Sequence, residues 1–500
     1  KQEPSGGPIT KDNTGVEVYC VIFAAAESAR VKDLLWTGSD DGLIQVSRNG
    51  GKNWENVTPP ASLLPEWTMI NCIEPSPFED GGAYLAATGY KNGDYKPYLL
   101  KTTDFGKTWS KITNGIAADH FTRTVRCDPK RRGLLFAGTE SGMYMSFDDG
   151  ANWQSFQLNL PIVPITDLAV KNDNLIAATQ GRSIWLIDDL SVLHQQAEGM
   201  ASKNFHLYKP MDSYRTDGFQ QKNPKGAGTN HPGGVTLHFI LPKLDTAKTA
   251  VKIAFLEADG DLIREFSTKP KDKKDKFEVK EGAQTFTWNT RFPDATTFEG
   301  MLLWFSQTSG PRAVPGDYKV RLTVGEESQE QVFKILKDPR ATSTDADFKR
   351  QFDFIMAGRN KISEAHQAII DIRDVRSQLK SFTGRLDKED AAMKPLLDLA
   401  KQMDSTMTQV EEALYQTKNK SNQDMLNFPI RLTNKLGHVS ALTGGDFPPT
   451  EQAVVVQAEM AAAIDGWLAK LREVKERQLP EFKRMVREKG VDLILPPKPK

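Results

Sequence analysis

The sequence predicts a multidomain chain, mainly β and then α, with β-propeller blades, a β-sandwich and a C-terminal helical bundle. Three observations predict it. A turn pattern ending in tryptophan recurs three times in the first 190 residues. A second β-type stretch with different punctuation follows. After Asp345 the texture turns to long runs of Ala, Leu, Met, Gln, Glu, Lys and Arg, which favour helix. Length agrees, because 500 residues exceed one ordinary domain and suggest about three.

The repeats are Ser47-Arg-Asn-Gly-Gly-Lys-Asn-Trp54, Thr102-Thr-Asp-Phe-Gly-Lys-Thr-Trp109 and Ser146-Phe-Asp-Asp-Gly-Ala-Asn-Trp153. They share Ser/Thr-x-Asp/Asn-x-Gly-x-x-Trp, and their tryptophans lie 55 and 44 residues apart. Each closes a longer unit that reads strand, turn, strand, turn, strand. A fourth unit begins at Leu175, and its closing motif has degenerated to Asp188-Asp-Leu. A period of about 45 residues with about four strands is the size of a propeller blade. The turn chemistry follows from the residue types. Asp or Asn bonds back to the turn backbone, Gly takes a positive φ, and Trp packs a large face into the sheet.

On these residues, the region from about 14 to 190 resembles the Asp-box (bacterial neuraminidase, BNR) repeats of sialidases, xyloglucanases and sortilin-like propellers. It is similar to the large bacterial family of BNR-repeat, glycosyl-hydrolase-like proteins with WD40/YVTN-type propellers. The resemblance rests on Asn49, Gly51, Trp54, Asp104, Gly106, Trp109, Asp148, Gly150 and Trp153. Asn49 stands where Asp is usual but keeps a carbonyl acceptor, so its turn is expected to survive. The family implies a secreted protein, periplasmic, extracellular or at the cell surface, whose signal peptide is not in this chain. Relatives of this type carry further blades. Four units fall short of most propellers, so an upstream segment or a second chain is expected to complete the ring, unless four blades close an unusually small one.

The predicted boundaries are 1–190 for the blades, 191–231 for a polar connector, 232–340 for the sandwich and 341–500 for the bundle. In the sandwich, Val235-Thr-Leu-His-Phe-Ile-Leu alternates, and Val251 to Phe266 reads as a hairpin around Ala258-Asp-Gly-Asp. The Pro315-Gly-Asp-Tyr-Lys-Val-Arg-Leu strand resembles the FlgD-type immunoglobulin-like domain. In the bundle, three apolar stripes at helical spacing run through 352–379, 393–414 and 460–474, with a short fourth helix after Pro480. The stretch 415–449 is long for a bundle connection and is a candidate interaction loop. The Met and Ala stripes read first as core and second as a partner groove.

Composition excludes several functions. With 65 basic and 65 acidic side chains the formal charge is zero, without the positive surplus that coating nucleic acid requires. No apolar run reaches the length of a membrane span. The seven histidines are scattered without metal spacing and read as surface residues, and the three cysteines read as small buried thiols. No cofactor fingerprint appears in a fitting context, so neither a metal nor a cofactor is expected.

A glycosidase needs two carboxylates flanking one sugar, roughly 5–9 Å apart. The candidates are Asp40, Asp41 and Glu140, in turns between second and third strands. The Asp-box carboxylates lie on the opposite face and are poor candidates. A sialidase would need three convergent arginines, and Arg30, Arg48, Arg123, Arg126 and Arg182 show no spacing that selects them. The Tyr90-Lys-Asn-Gly-Asp-Tyr95 excursion in the second blade, with Tyr90, Asp94 and Tyr95, is a candidate ligand face together with Arg182. The expected function is recognition or scaffolding on a protein or glycan partner. The alternatives are a glycoside hydrolase acting on a polysaccharide, and a subunit of a cell-surface assembly.

Overall fold

A computed structural model describes residues 20–196, 205–216, 228–245, 247–387, 389–421 and 423–491. The chain divides into two compact units, Lys1–Met200 and Ala201–Lys500.

The first unit is four consecutive antiparallel sheets. Blade 1 holds β1 (Ile22–Glu27), β2 (Leu35–Ser39), β3 (Ile44–Ser47) and β4 (Glu55–Asn56). Blade 2 holds β5 (Met69–Pro75), β6 (Ala83–Gly89), β7 (Asp94–Thr102) and β8 (Ser110–Lys111). Blade 3 holds β9 (Thr122–Cys127), β10 (Leu135–Thr139), β11 (Gly142–Ser146) and β12 (Gln154–Ser155). Blade 4 has three strands, β13 (Ile165–Lys171), β14 (Asn174–Thr179) and β15 (Ile184–Ile187), followed by the short α1 (Ser191–Gln195). Strand order follows the chain in every sheet, and the first strands of successive blades lie side by side. This up-and-down order with radial repetition is that of propeller blades.

The hydrophobic layers lie between blades. Trp36, Ile44, Ile70 and Leu85 fill the first, Leu99, Val125, Leu135 and Trp153 the second, and Phe136, Met143, Ile165 and Leu168 the third. Blades 2 and 3 are covered on both faces, so every residue of β6, β10 and β11 is buried. The outer blades are covered on one face, and β2 and β14 alternate accordingly.

The repeated turn is built the same way three times. Gly51, Gly106 and Gly150 donate their backbone N–H to the hydroxyls of Ser47, Thr102 and Ser146, at 2.9, 3.0 and 2.9 Å. Asn49, Asp104 and Asp148 accept from the backbone N–H of Asn53, Thr108 and Asn152, at 2.9, 2.9 and 2.8 Å. All three glycines have positive φ, which a Cβ would strain. Asn49 does what Asp does, because the bond needs only a carbonyl oxygen.

The second unit joins two sheets to a helical region. One sheet has the order β16 (His206–Leu207), β18 (Val235–Leu241), β21 (Gly282–Trp288). The other has the order β17 (Ser213–Tyr214), β23 (Glu327–Leu336), β22 (Gly316–Val324), β19 (Val251–Glu257), β20 (Leu262–Ser267). Phe239, Phe255, Trp288, Tyr318 and Phe333 share one core between them. The segment read as a connector supplies β16 and β17, which are too short and polar to announce themselves; β16 is held by Gln329 and Gln331 side chains bonding to Phe205 and Leu207 backbone, and β17 pairs in parallel with β23.

The helices are α2 (Asp345–Thr383), α3 (Lys394–Leu414), α4 (Leu432–Ala441), α5 (Glu451–Glu473) and α6 (Leu479–Glu488). Thr344 and Asp347 form a reciprocal capping box that starts α2. The helix expected after Pro480 does not stand apart. α5 runs into α6 through a π-turn at Val474–Gln478, where Pro480 removes a backbone donor and the ladder widens to absorb it. The stretch 415–449 contains α4, which packs inward, while Leu426, Leu442 and Phe447 of the same stretch are exposed. Asn434 on α4 accepts from the Trp304 N–H at 2.8 Å and donates to the Trp304 carbonyl at 2.9 Å. Trp304 belongs to a strap, residues 289–315, that leaves the sheets and packs Ala295, Phe298, Met301 and Leu303 into the helical core. Met403 and Met407 are fully buried there, so these positions of the stripe fill core.

Candidate functional site: an aromatic platform on the turn face

In blades 1, 2 and 3 the second-to-third-strand turn lies at the opposite end of the sheet from the Gly-x-x-Trp turn. The turn of blade 2 is enlarged. Its excursion is a 3-10 turn, Tyr90–Asn92, closed by Gly93 at φ 77°. That geometry turns Tyr90 and Tyr95 toward blade 3, where Phe121 enters β9. The Tyr90 and Phe121 rings stack with centroids 5.2 Å apart and planes 16° apart. Tyr95 leans on Phe121 at 6.1 Å and stays 55% exposed.

Arg123 completes the group. Its guanidinium lies 5.3 Å from the Phe121 centroid and 5.7 Å from that of Tyr90. Its Nε donates to Glu140 Oε2 at 2.6 Å. Glu140 sits on the turn of blade 3, whose backbone is tied to Phe121 by a 3.0 Å bond from Glu140 N–H to the Phe121 carbonyl. Two blades therefore hold one platform of three rings, a cation and a carboxylate. Next to it, His120 Nδ1 lies 2.8 Å from the Tyr144 hydroxyl. Aromatic faces with a flanking cation suit flat apolar surfaces, such as a sugar ring or a peptide side chain.

The other predicted residues divide. Asp94 accepts from the Tyr98 hydroxyl at 2.5 Å and from Lys96 N–H at 3.1 Å, so it braces the excursion. Burial, then the bond to Asp94, pushes the Tyr98 phenol above its usual pKa. Arg182 lies on blade 4, and the platform does not include it. Asp40 is buried and accepts from Val21 N–H at 3.0 Å, and Asp41 accepts from the Ser39 hydroxyl. These are bonds that fix a turn. Asp40 and Asp41 belong to blade 1 and Glu140 to blade 3, with blade 2 between them.

Phe121 and Arg123 were missed as site residues. They lie in and beside a β-type run, and nothing in their spacing marks the meeting with Tyr90. Two further expectations need correction. Cys20 is exposed, while Cys72 and Cys127 are buried. Burial holds both buried thiols above their usual range, that of Cys127 at about 12, so they are poor nucleophiles. His366 is fully buried in α2, because Phe298 of the strap covers it edge-on at 5.2 Å.

A second charged group lies on the first strands. Arg126 on β9 donates to Asp167 Oδ1 at 2.7 Å and to the Leu168 carbonyl at 2.7 Å, both on β13, and pairs with Glu74 on β5 at 3.5 Å. Burial raises the Glu74 pKa, and Arg126 opposes the rise. The guanidinium is saturated by these partners, so the group stitches blades 2, 3 and 4. Among the described residues, three carboxylates come together at Glu257, Asp259 and Asp261, a turn of the hairpin β19–β20 in which Asp259 and Asp261 are exposed.

No family model matches the chain, and no curated protein matches it. Solved structures with similar arrangements include YCF48 from Cyanidioschyzon merolae, at 17% identity over 45% of this chain and 68% of that one, TM-score 0.26. YCF48 bound to a D1 peptide matches at 15% identity over 64% and 94%, TM-score 0.27. The GH74 enzyme of Niastella koreensis matches at 14% identity over 63% and 46%, TM-score 0.29. The chain thus spans just under half of that enzyme's length. The strand order, register and repeated turn make the first unit a set of β-propeller blades.

Proposed function

We propose that this chain is a recognition protein that grips a protein or glycan segment on the turn face of its propeller. The observation that carries this is the platform of Tyr90, Tyr95, Phe121 and the Arg123–Glu140 pair. It joins two blades around a solvent-facing ring, where a residue with only a fold-keeping role would be buried. Glu140 serves there as the partner that orients Arg123.

The finer identity belongs to the same reading. The three turns support an Asp-box propeller of the BNR-repeat and sortilin-like kind. The two sheets of the second unit support an immunoglobulin-like spacer. A secreted or cell-surface home fits a binding module of this construction.

Glycan and peptide arrays, followed by calorimetry on the hits, test the proposal. Tyr95→Ala and Arg123→Ala are each expected to weaken binding at least tenfold, about 1.4 kcal/mol or more. They should leave the far-ultraviolet spectrum unchanged. Binding indifferent to both changes would overturn the site. Turnover of a bound glycan that Glu140→Gln abolishes would overturn the recognition role in favour of hydrolysis.

A further inference from the structure

The connection from β12 to β13, residues 156–164, runs along the same end of blade 3 as the Glu140–Ser141 turn. Its apolar residues divide. Phe156 and Leu160 are buried between blades 3 and 4, and Val163 packs against that cluster. Leu158 and Ile162, interleaved with them, are 70% and 77% exposed.

The exposed pair stands on a fixed loop. Gln157 accepts from the Met143 N–H at 3.2 Å and donates to the Leu160 and Pro161 carbonyls at 2.7 and 2.9 Å. Its side chain lies on Gly142, where a Cβ would meet Gln157 Oε1 at 2.1 Å. Gly142 follows directly on the turn that carries Glu140, so this loop and the aromatic platform share one support. Leu158 takes φ 45°, a left-handed conformation that strains a bulky side chain.

The loop also forms a recess. Leu158 and Leu160, with Phe156, Trp185 and Leu186, line a mainly apolar cavity of about 50 Å³. A six-membered ring needs about 150 Å³, so this cavity admits a small aliphatic group and no sugar. Sugar hydroxyls set against Leu158 and Ile162 would lose water and find no partner, whereas an aliphatic side chain gains by the same move. On the platform, Arg123 bonds to Glu140 through Nε, and among the described residues its terminal nitrogens meet no acceptor. They can donate to a backbone carbonyl.

Resting on the turn-face reading above, we infer that the ligand there is a polypeptide. It sets an aromatic side chain on the platform, an aliphatic one on Leu158 and Ile162, and a backbone carbonyl on Arg123.

The full chain is tested against two probes: an array of synthetic peptides carrying one Phe and one Leu at varied separation, and a panel of cello- and chito-oligosaccharides. Peptides should bind and oligosaccharides should not. Leu158→Asn and Ile162→Asp change exposed positions and should each weaken peptide binding about tenfold. Leu158→Asn should also raise the thermal midpoint, because Asn adopts the left-handed conformation more readily than Leu. A lower midpoint would make Leu158 a packing residue and overturn its role in binding. Oligosaccharide binding that Tyr95→Ala abolishes would overturn the polypeptide and leave the platform standing. Peptide binding that Tyr95→Ala weakens and both loop variants leave unchanged would overturn the aliphatic foothold and, again, leave the platform standing. Binding of neither probe would overturn both.

Discussion

Trp54, Trp109 and Trp153 close the same motif but not the same environment. Trp153 is buried and donates its indole N–H at 2.7 Å to a carbonyl of the preceding segment, whereas Trp54 lies half in solvent. Removing a buried ring leaves a cavity and an unpaired carbonyl, and removing an exposed one leaves neither. Trp153→Ala should therefore destabilise the first unit by about 3–5 kcal/mol. Trp54→Ala should cost below about 1 kcal/mol. Urea unfolding followed by tryptophan fluorescence separates the two. Equal losses would show that the motif stabilises each blade from within, without its neighbour. Asp104 shows how local the turn itself is: the Thr108 backbone N–H, then its hydroxyl, hold this exposed carboxylate below its usual pKa.

The second unit is decided by how elements meet. The strap threads Phe298 between His366 of α2 and Tyr415 beyond α3, and Arg373 covers its ring at 4.7 Å. His366 Nδ1–H donates to the Thr296 carbonyl at 2.6 Å, and its Nε2 is buried without a hydrogen-bond partner. Burial holds this imidazole below its ordinary pKa. The unfolded chain takes up a proton below about pH 6.5 that the folded chain resists. The stability due to a neutral His366 is thus complete above that pH and is lost as pH falls toward the lowered folded value. The urea midpoint of helical ellipticity should fall between pH 7.5 and 5.5. In His366→Gln that slope should flatten. An unchanged slope in the variant would place the titrating group elsewhere.

Across the second unit, Arg215 is the residue that makes sheets and helices one body. It follows β17, is 3% exposed, and donates to the Ala313 carbonyl at 3.1 Å and to Gln351 of α2 at 2.9 Å. It also pairs with Asp446 before α5 and lies 5.0 Å over the Phe348 ring. Arg215→Ala strands a carboxylate and a buried amide, a loss of about 3–5 kcal/mol. Hydrogen exchange should then quicken in β23 and in the first turns of α2 together. Faster exchange in one alone would show that the two layers unfold separately. What the sequence by itself determined was everything local. The three Gly-x-x-Trp turns, the blade count and the long helices follow from spacing and residue type, which act within a few positions. The tertiary structure alone decided what depends on distant meetings. It joined Phe121 and Arg123 to Tyr90, folded 415–449 onto Trp304, and buried His366. It also left Leu158 and Ile162 exposed while burying Leu160 between them. Periodicity tells which face of a strand is apolar. Which surface covers that face is set by packing between segments far apart in the chain, and no local pattern encodes it.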